Sequence, residues 1–239
     1  MFSEIAVVIP AHNEEKNIGE VVREAKEVFE KVIVVNDGST DKTEEIAKKE
    51  GAIVLSHSQC KGKGAALKTG FSYIVSENIP AFFTIDGDGQ HLLSDVENFI
   101  KEYKRKKRAG IFIGKRKIVS TDMPLIRRIT NASMSILISL LSFQWIPDTQ
   151  CGYRLIKKEV IEKVNLLTSH YETESELLIK ASWKGFKIAS VPIQTVYRTE
   201  RSQIRPVRDT IRFFRMILTI IFPPLSKIKI WKEKWTLKN

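Results

Sequence analysis

Apolar residues fall along this chain in two alternating rhythms. Ile5–Pro10 is a short apolar run closed by proline and predicts a strand, and Asn13–Phe29 follows with Ile18, Val21, Val22, Ala25, Val28 and Phe29 at helical spacing. Lys31–Asn36 (KVIVVN) is a continuous β-branched run, the pattern of a strand buried on both faces. Asp41–Glu50 predicts a helix with Asp41 as N-cap, Glu44 three residues on and Gly51 past its end. A strand over Ala52–His57, a helix over Lys63–Ile79 and a strand over Ala81–Asp86 continue the alternation. Ser94–Lys107 predicts a helix opened by a Ser94…Glu97 capping box, and Ile111–Gly114 a fifth strand.

Alternation of this kind predicts an α/β fold, a mostly parallel Rossmann-like sheet with helices on both faces. Ligands of such sheets bind beyond the carboxyl ends of the strands. The segments after strands one, two and four are PAHNEE, NDGSTD and DGDGQH, all polar or acidic and all expected at one edge. The second half is less regular. Met123–Phe143 predicts a helix or helix pair, PDTQCGYRL a turn-rich link into another strand or helix, Glu174–Lys184 a helix ended by Gly185, and Phe186–Ile193 a strand. From Arg205 the pattern IRFFRMILTIIF predicts an amphipathic helix broken at Pro223-Pro224.

Composition narrows the class. The 239 residues are 43% hydrophobic, enough for one packed α/β domain with some elaboration. Two cysteines, Cys60 and Cys151, make no disulfide scaffold, and a reducing compartment is expected. The opening MFSEIAVVIP has no basic region before its apolar stretch and predicts a core strand, not a secretory signal. No apolar run approaches the ~20 residues a spanning helix requires. The formal charge of +11 fits nucleic acid, anionic lipid or phosphorylated substrates equally well. Without a nucleic-acid-binding motif, and with acidic strand ends, no nucleic-acid partner is expected.

The sharpest chemical feature is Asp86-Gly87-Asp88-Gly89-Gln90-His91 at a strand end. Two carboxylates one residue apart, flanked by glycines, form a hard-oxygen site suited to Mg²⁺ or Mn²⁺ completed by substrate phosphates. A solvated DG turn would use the same residues. An EF-hand is excluded because His91 stands where its loop needs glycine and a strand precedes it. Asn36-Asp37-Gly38-Ser39-Thr40-Asp41 offers an acid at a tight turn, suited to a ribose or base or to capping a helix. Lys61-Gly62-Lys63-Gly64 offers a basic, glycine-rich helix N-terminus for a phosphate, without the spacing of a Walker A loop.

VVIPAHNEE, VVNDGSTDKT, KGKGAALKTGF, TIDGDGQH, DTQCGYRL and ELLIKA, in this order, resemble family 2 glycosyltransferases of the GT-A fold. The nearest branch is that of the dolichyl- and polyprenyl-phosphate mannose and glucose synthases, and the likeness runs from about Ile5 to Tyr197. The resemblance implies a nucleotide-sugar pocket lined by Pro10, His12, Glu14, Asp37, Lys63, Gly64, Asp86 and Gly87. It implies a metal at Asp86 and Asp88 with Gln90 beside it, and catalytic roles for Asp88, Arg116, Glu174 and Glu176. Arg116, Arg127, Arg128, Arg198 and Arg201 are the candidates for an acceptor phosphate, and Asp148, Thr149 and Gln150 occupy a DTQ motif. The expected reaction is inverting hexose transfer from GDP-mannose or UDP-glucose to a polyprenyl phosphate, with Mg²⁺ or Mn²⁺. A soluble or polysaccharide hydroxyl acceptor is the alternative, and a carboxylate base at Glu174 or Glu176 would then be needed. A nucleotidyltransferase is disfavoured because PAHNEEKN is not a glycine-rich signature. The expected organisation is a catalytic domain over 1–200 and a basic amphipathic segment over 201–239. Many members of this branch carry C-terminal membrane helices. The arginine-flanked apolar segments 133–146 and 211–222 instead predict peripheral docking on the cytoplasmic face of a membrane.

Overall fold

The structure is a computed structural model in which residues 2–116, 125–194 and 206–222 are described; the side chains of 2, 3, 125–127, 206 and 207 are not. The chain divides into two compact units, Met1–Arg201 and Ser202–Asn239.

The first unit is built on a seven-stranded sheet in the order β3-β2-β1-β4-β6-β5-β7. Its strands are β1 (Phe2–Ala11), β2 (Phe29–Asn36), β3 (Ile53–Ser56), β4 (Ala81–Thr84), β5 (Ala109–Arg116), β6 (Arg154–Lys157) and β7 (Lys187–Ile193). β1 pairs in parallel with β2 and β4, β2 with β3, and β5 with β7, while β6 runs antiparallel between β4 and β5. The helices are α1 (Ile18–Val28), α2 (Thr43–Lys49), α3 (Lys63–Ser76), α4 (Val96–Arg105), α5 (Leu125–Ser142), α6 (Lys158–Lys163) and α7 (Glu172–Trp183). The chain winds outward from β1 through β2 to β3, then returns to place β4 on β1's other flank. This reversal opens a crevice at the carboxyl ends of β1 and β4, the place where open α/β sheets hold ligands.

Strands predicted as continuous apolar runs are the buried ones: Val32–Val35 and Ala81–Phe83 are at most 1% exposed. Phe83 sits in an aromatic cluster with Phe29, Phe99 and Tyr153, ring centroids 5.2 to 5.8 Å from its own. Gly70 in α3 lets that helix close on the sheet, because a Cβ there would stand 2.4 Å from Val8 Cγ1.

Several expected details differ. Neither predicted capping box forms. Asp41 Oδ1 accepts from the Thr43 N–H (3.0 Å), but Glu44 turns to Asn36 (2.8 Å) and Lys48. At the other helix a short 3-10 turn over Leu93–Asp95 precedes α4, and Asp95 accepts from Asn98 and from the backbone of Gln194. Helix α1 begins five residues later than predicted, because Asn13 takes a left-handed conformation (φ 56°) and the loop after β1 is fastened to the loop after β2. Met123–Phe143 is one helix over its described part, and the turn-rich link leads into β6, the reversed strand that periodicity left open between helix and strand. Helix α6 was not predicted.

In the second unit the described element is α8 (Pro206–Ile221), with Ile211, Phe214 and Leu218 exposed and Arg212 paired with Asp209 at 3.4 Å. Among the described residues no helix is long and apolar enough to cross a membrane.

Candidate active site

The loop after β1 fixes the loop after β2. His12 Nδ1 donates to the Asp37 carbonyl at 2.8 Å, and the Asn13 and Glu14 amides donate to Ser39 Oγ and Thr43 Oγ1 at 3.0 and 2.7 Å. Asp37 itself is buried. Its carboxylate accepts from His57 Nδ1 (2.6 Å), the Lys61 and Gly62 amides (2.9 and 2.7 Å) and Cys60 Sγ (3.4 Å). Burial alone would raise its pKa, but these donors together hold it below the ordinary aspartate value. Asp37 thus shapes the 57–62 loop that delivers Lys63 to the crevice. His57 also contacts Thr69 Oγ1 at 2.8 Å, and neither its place nor its role is visible in the spacing of the motifs.

Gly62 and Gly64 allow that delivery. A Cβ at Gly62 (φ 100°) would meet the Ser169 carbonyl at 2.6 Å, and one at Gly64 would meet Thr173 Oγ1 at 1.9 Å. Only bare backbone lets the start of α3 press against the turn that opens α7.

Lys63 occupies the centre. Its Nζ lies 2.7 Å from Asp86 Oδ1 and 2.8 Å from Glu174 Oε2, with the Tyr171 ring centroid at 5.9 Å. Burial pushes an ammonium toward neutrality; here the attraction of Asp86 and Glu174 outweighs it and raises the lysine pKa. Burial likewise opposes the charge on Asp86, yet Lys63 and His91 hold its pKa far below the usual carboxylate range. His91 Nε2 stands 3.6 Å from Asp86 Oδ2. On the other side lies Gly152, where a Cβ would come within 2.7 Å of the same oxygen. The turn that leads into the reversed strand β6 therefore closes the wall behind Asp86.

Asp88 is shifted the other way: burial first, then the charge of Asp86, raise its pKa, while its Oδ1 accepts from the Gln90 amide at 3.0 Å. A carboxyl driven toward protonation by an adjacent carboxylate gains from a divalent cation, and the donors offered are hard oxygens. Asp86, Asp88 and Gln90 thus fit Mg²⁺ or Mn²⁺. Among the described residues no cluster of three or more His, Cys, Asp and Glu side chains forms a self-sufficient metal cage. A bound ion would complete its shell from substrate and water.

Arg154 is the residue sequence reasoning missed. At 2% exposure it is the largest fully buried side chain among the described residues; it donates to the carbonyls of Cys151, Thr149 and Glu174 at 2.9 to 3.1 Å and lies 3.4 Å from Glu174 Oε1. It locks the DTQCG turn to the first turn of α7. A single arginine in a short strand gives no periodic signal of such a role.

The two candidate glutamates separate. Glu174 faces the crevice between Lys63 and Arg154. Glu176, fully buried, turns away and accepts from the Leu167 and Thr168 amides, Thr168 Oγ1 and Lys180 Nζ. Arg116 is held bidentately by Asp148, at 2.7 and 2.8 Å. Pro10 is the penultimate residue of β1, opposite Val35, and Gly87 lies beside it, 3.4 Å from the Pro10 carbonyl to a Cβ built there. Arg128 is exposed on α5, the side chain of Arg127 is not described, and Arg198 and Arg201 lie outside the described residues.

A parallel sheet with one reversed strand, a carboxylate pair at its switch point and a basic helix N-terminus facing it define a nucleotide-sugar transferase architecture. The profile of Glycosyl transferase family 2 matches residues 6–164, and the chain belongs to that family; it is a glycosyltransferase. An uncharacterized protein of Methanocaldococcus jannaschii is 39% identical over 228 residues, covering 92% of this chain and 93% of its own length. A UDP-N-acetylglucosamine–dolichyl-phosphate N-acetylglucosaminyltransferase of Methanococcus voltae is 31% identical, covering 87% and 92%. The fold matches that of glucosyl-3-phosphoglycerate synthase from Mycobacterium tuberculosis, solved with Mn²⁺, UDP and its product. There the TM-score is 0.69 and the identity 20%, over 90% of this chain and 78% of the other.

Proposed function

We propose that this enzyme transfers a hexose or N-acetylhexosamine from a nucleotide sugar to a polyprenyl monophosphate at a membrane surface. The observation that carries the lipid part is the inverted face of α5. Its buried positions are Ile138 and three serines: Ser135 Oγ bonds Thr149 Oγ1 and the Thr149 amide at 3.1 Å, and Ser139 Oγ accepts from the Ile146 amide at 2.9 Å. Its outer face carries Ile129, Ile136 and Leu140, 50 to 67% exposed, followed past the helix end by Phe143 at 86% and Trp145 at 72%. A helix that turns mostly serines inward around a single buried isoleucine and leaves its other large apolar groups outward is suited to an apolar partner outside the fold. Through Ser135 it is bonded to the DTQ turn, so a surface that holds the helix also sits beside the reaction centre. The Methanococcus voltae relative, named for transfer to dolichyl phosphate, supports the same reading.

In this reading the loops after β1 and β2 receive the nucleoside, and the α3 N-terminus with Lys63 faces the donor diphosphate. Asp86 and Asp88, with Gln90, hold the divalent cation, which supplies positive charge against the leaving diphosphate. Asp37 acts by fixing the 57–62 loop. Glu174 is engaged by Lys63 and Arg154, so it is poorly placed to take a proton from a sugar hydroxyl. A phosphate monoester is already anionic near neutral pH and needs no base, only positioning. Arg116, presented by Asp148, and Arg127, Arg128, Arg198 and Arg201 remain the candidates for that phosphate.

The test supplies labelled GDP-mannose, UDP-glucose and UDP-N-acetylglucosamine in parallel to a short polyprenyl phosphate, with and without Mn²⁺. Solvent-extractable product from one donor, lost on chelation and reduced about 100-fold or more in Asp88→Asn, is the expected result. Donor hydrolysis without a lipid product would keep the donor site and overturn the acceptor.

A further inference from the structure

The Lys63 ammonium already occupies the place a cation would take on Asp86. Oδ1 is 2.7 Å from Nζ, and Oδ2 is hemmed by His91 and by the Gly152 backbone. Glu174 anchors the same ammonium from the far side at 2.8 Å, so Lys63 is held in place rather than free to swing. A divalent ion approaching Asp86 must share an oxygen with a fixed positive charge or displace it. Two like charges so close repel strongly in a partly buried site. A nucleoside diphosphate changes that balance, since its oxygens neutralise the lysine and the metal together.

We propose that Lys63 is a positioning residue that competes with the divalent cation for Asp86, so that cation and nucleotide enter the site together rather than one after the other. The proposal rests on Asp86 and Asp88 as the cation's ligands. Its thermodynamic consequence is reciprocal: the factor by which nucleotide tightens the cation is the factor by which the cation tightens nucleotide.

The test needs no turnover. Mn²⁺ binding to the full chain is followed by electron paramagnetic resonance, first without nucleotide, then with saturating UDP or GDP. The variants are Lys63→Met and Lys63→Gln, which remove the charge, and Lys63→Arg, which keeps it; circular dichroism checks their folding. Without nucleotide, the uncharged variants are expected to bind Mn²⁺ about tenfold tighter than the native chain, and the nucleotide's enhancement to shrink by a similar factor. Lys63→Arg is expected to behave as native. Glutamine stays polar and can donate to a carboxylate without carrying charge, so it decides the matter if methionine disturbs the fold. Equal or weaker Mn²⁺ binding in the folded uncharged variants overturns the competition while leaving the metal site intact. If no protein binds Mn²⁺ even with nucleotide, or Asp88→Asn leaves binding unchanged, it is the cation reading itself that fails.

Discussion

Two glutamates two residues apart on one helix, Glu174 and Glu176, show how a motif can carry unlike residues. Glu174 meets Lys63 and Arg154 in the crevice; Glu176 is enclosed by two amides, a hydroxyl and Lys180. Burial opposes the charge on Glu176, but these donors, Lys180 foremost, hold its pKa below the ordinary 4.5. A depressed carboxylate contributes stability above its unfolded value and loses it as pH falls through the folded one. Glu176→Gln is therefore expected to lose about 1–3 kcal/mol at pH 7, with the deficit shrinking below about pH 4.5 as the native carboxylate protonates. Thermal melts of both proteins between pH 7 and 3 check this; a deficit independent of pH would refute it. The sequence made both glutamates equal candidates because a motif records residue types and intervals, not which side chain the loop at 165–168 folds over. Asp86, Asp88 and Lys63 were legible because strand ends and glycine turns put them at one edge whatever the details. Arg154 and His57 were not, since each acts through partners distant in sequence.

At the scale of elements, the parallel half of the sheet was legible almost strand by strand, because continuous apolar runs between helices have few other uses. The reversed strand β6 was not: four residues, Arg154–Lys157, carry no period, and their direction is set by β4 and β5 on either side. The capping boxes failed because Glu44 turned to Asn36, and because a 3-10 turn over Leu93–Asp95 took in Ser94 ahead of α4. Helix α5 was read as an apolar segment with polar interruptions. The structure turns Ser135 and Ser139 inward beside Ile138, bonds the two serines to 146–149, and leaves Ile136 and Leu140 outside. Replacing Leu140 and Phe143 together by serine is expected to reduce sedimentation with anionic liposomes at least fivefold while leaving the thermal midpoint within a few degrees, since both side chains are solvent-facing. Unchanged sedimentation, or a shift from dimer to monomer instead, would assign that face to a second copy of the chain.

For the whole molecule, the two halves of the sheet are assembled differently. β1 to β4 with α1 to α3 form a local right-handed winding, each strand laid beside one already placed. β5 has no such neighbour: it pairs only with β6 and β7, whose residues follow it by some forty and eighty positions. The same holds for the wall behind Asp86, because Gly152 arrives long after the carboxylate it confines.

That order has a consequence for the chain as it leaves the ribosome. When residue 116 emerges, four strands already have partners, while the apolar stretch Ala109–Gly114 has none and stands open along both edges. It must wait for the reversed strand to be synthesised, and during that interval it is the segment most exposed to aggregation or to capture by a chaperone. In pulse-labelled refolding of the whole chain, amides of 6–9 and 32–35 are expected to gain protection before those of 111–113; the opposite order would contradict this sequence of events. Protein synthesis would thus lay down the first four strands before β5 has a neighbour, and complete the sheet only when β7 pairs with β5 at its edge.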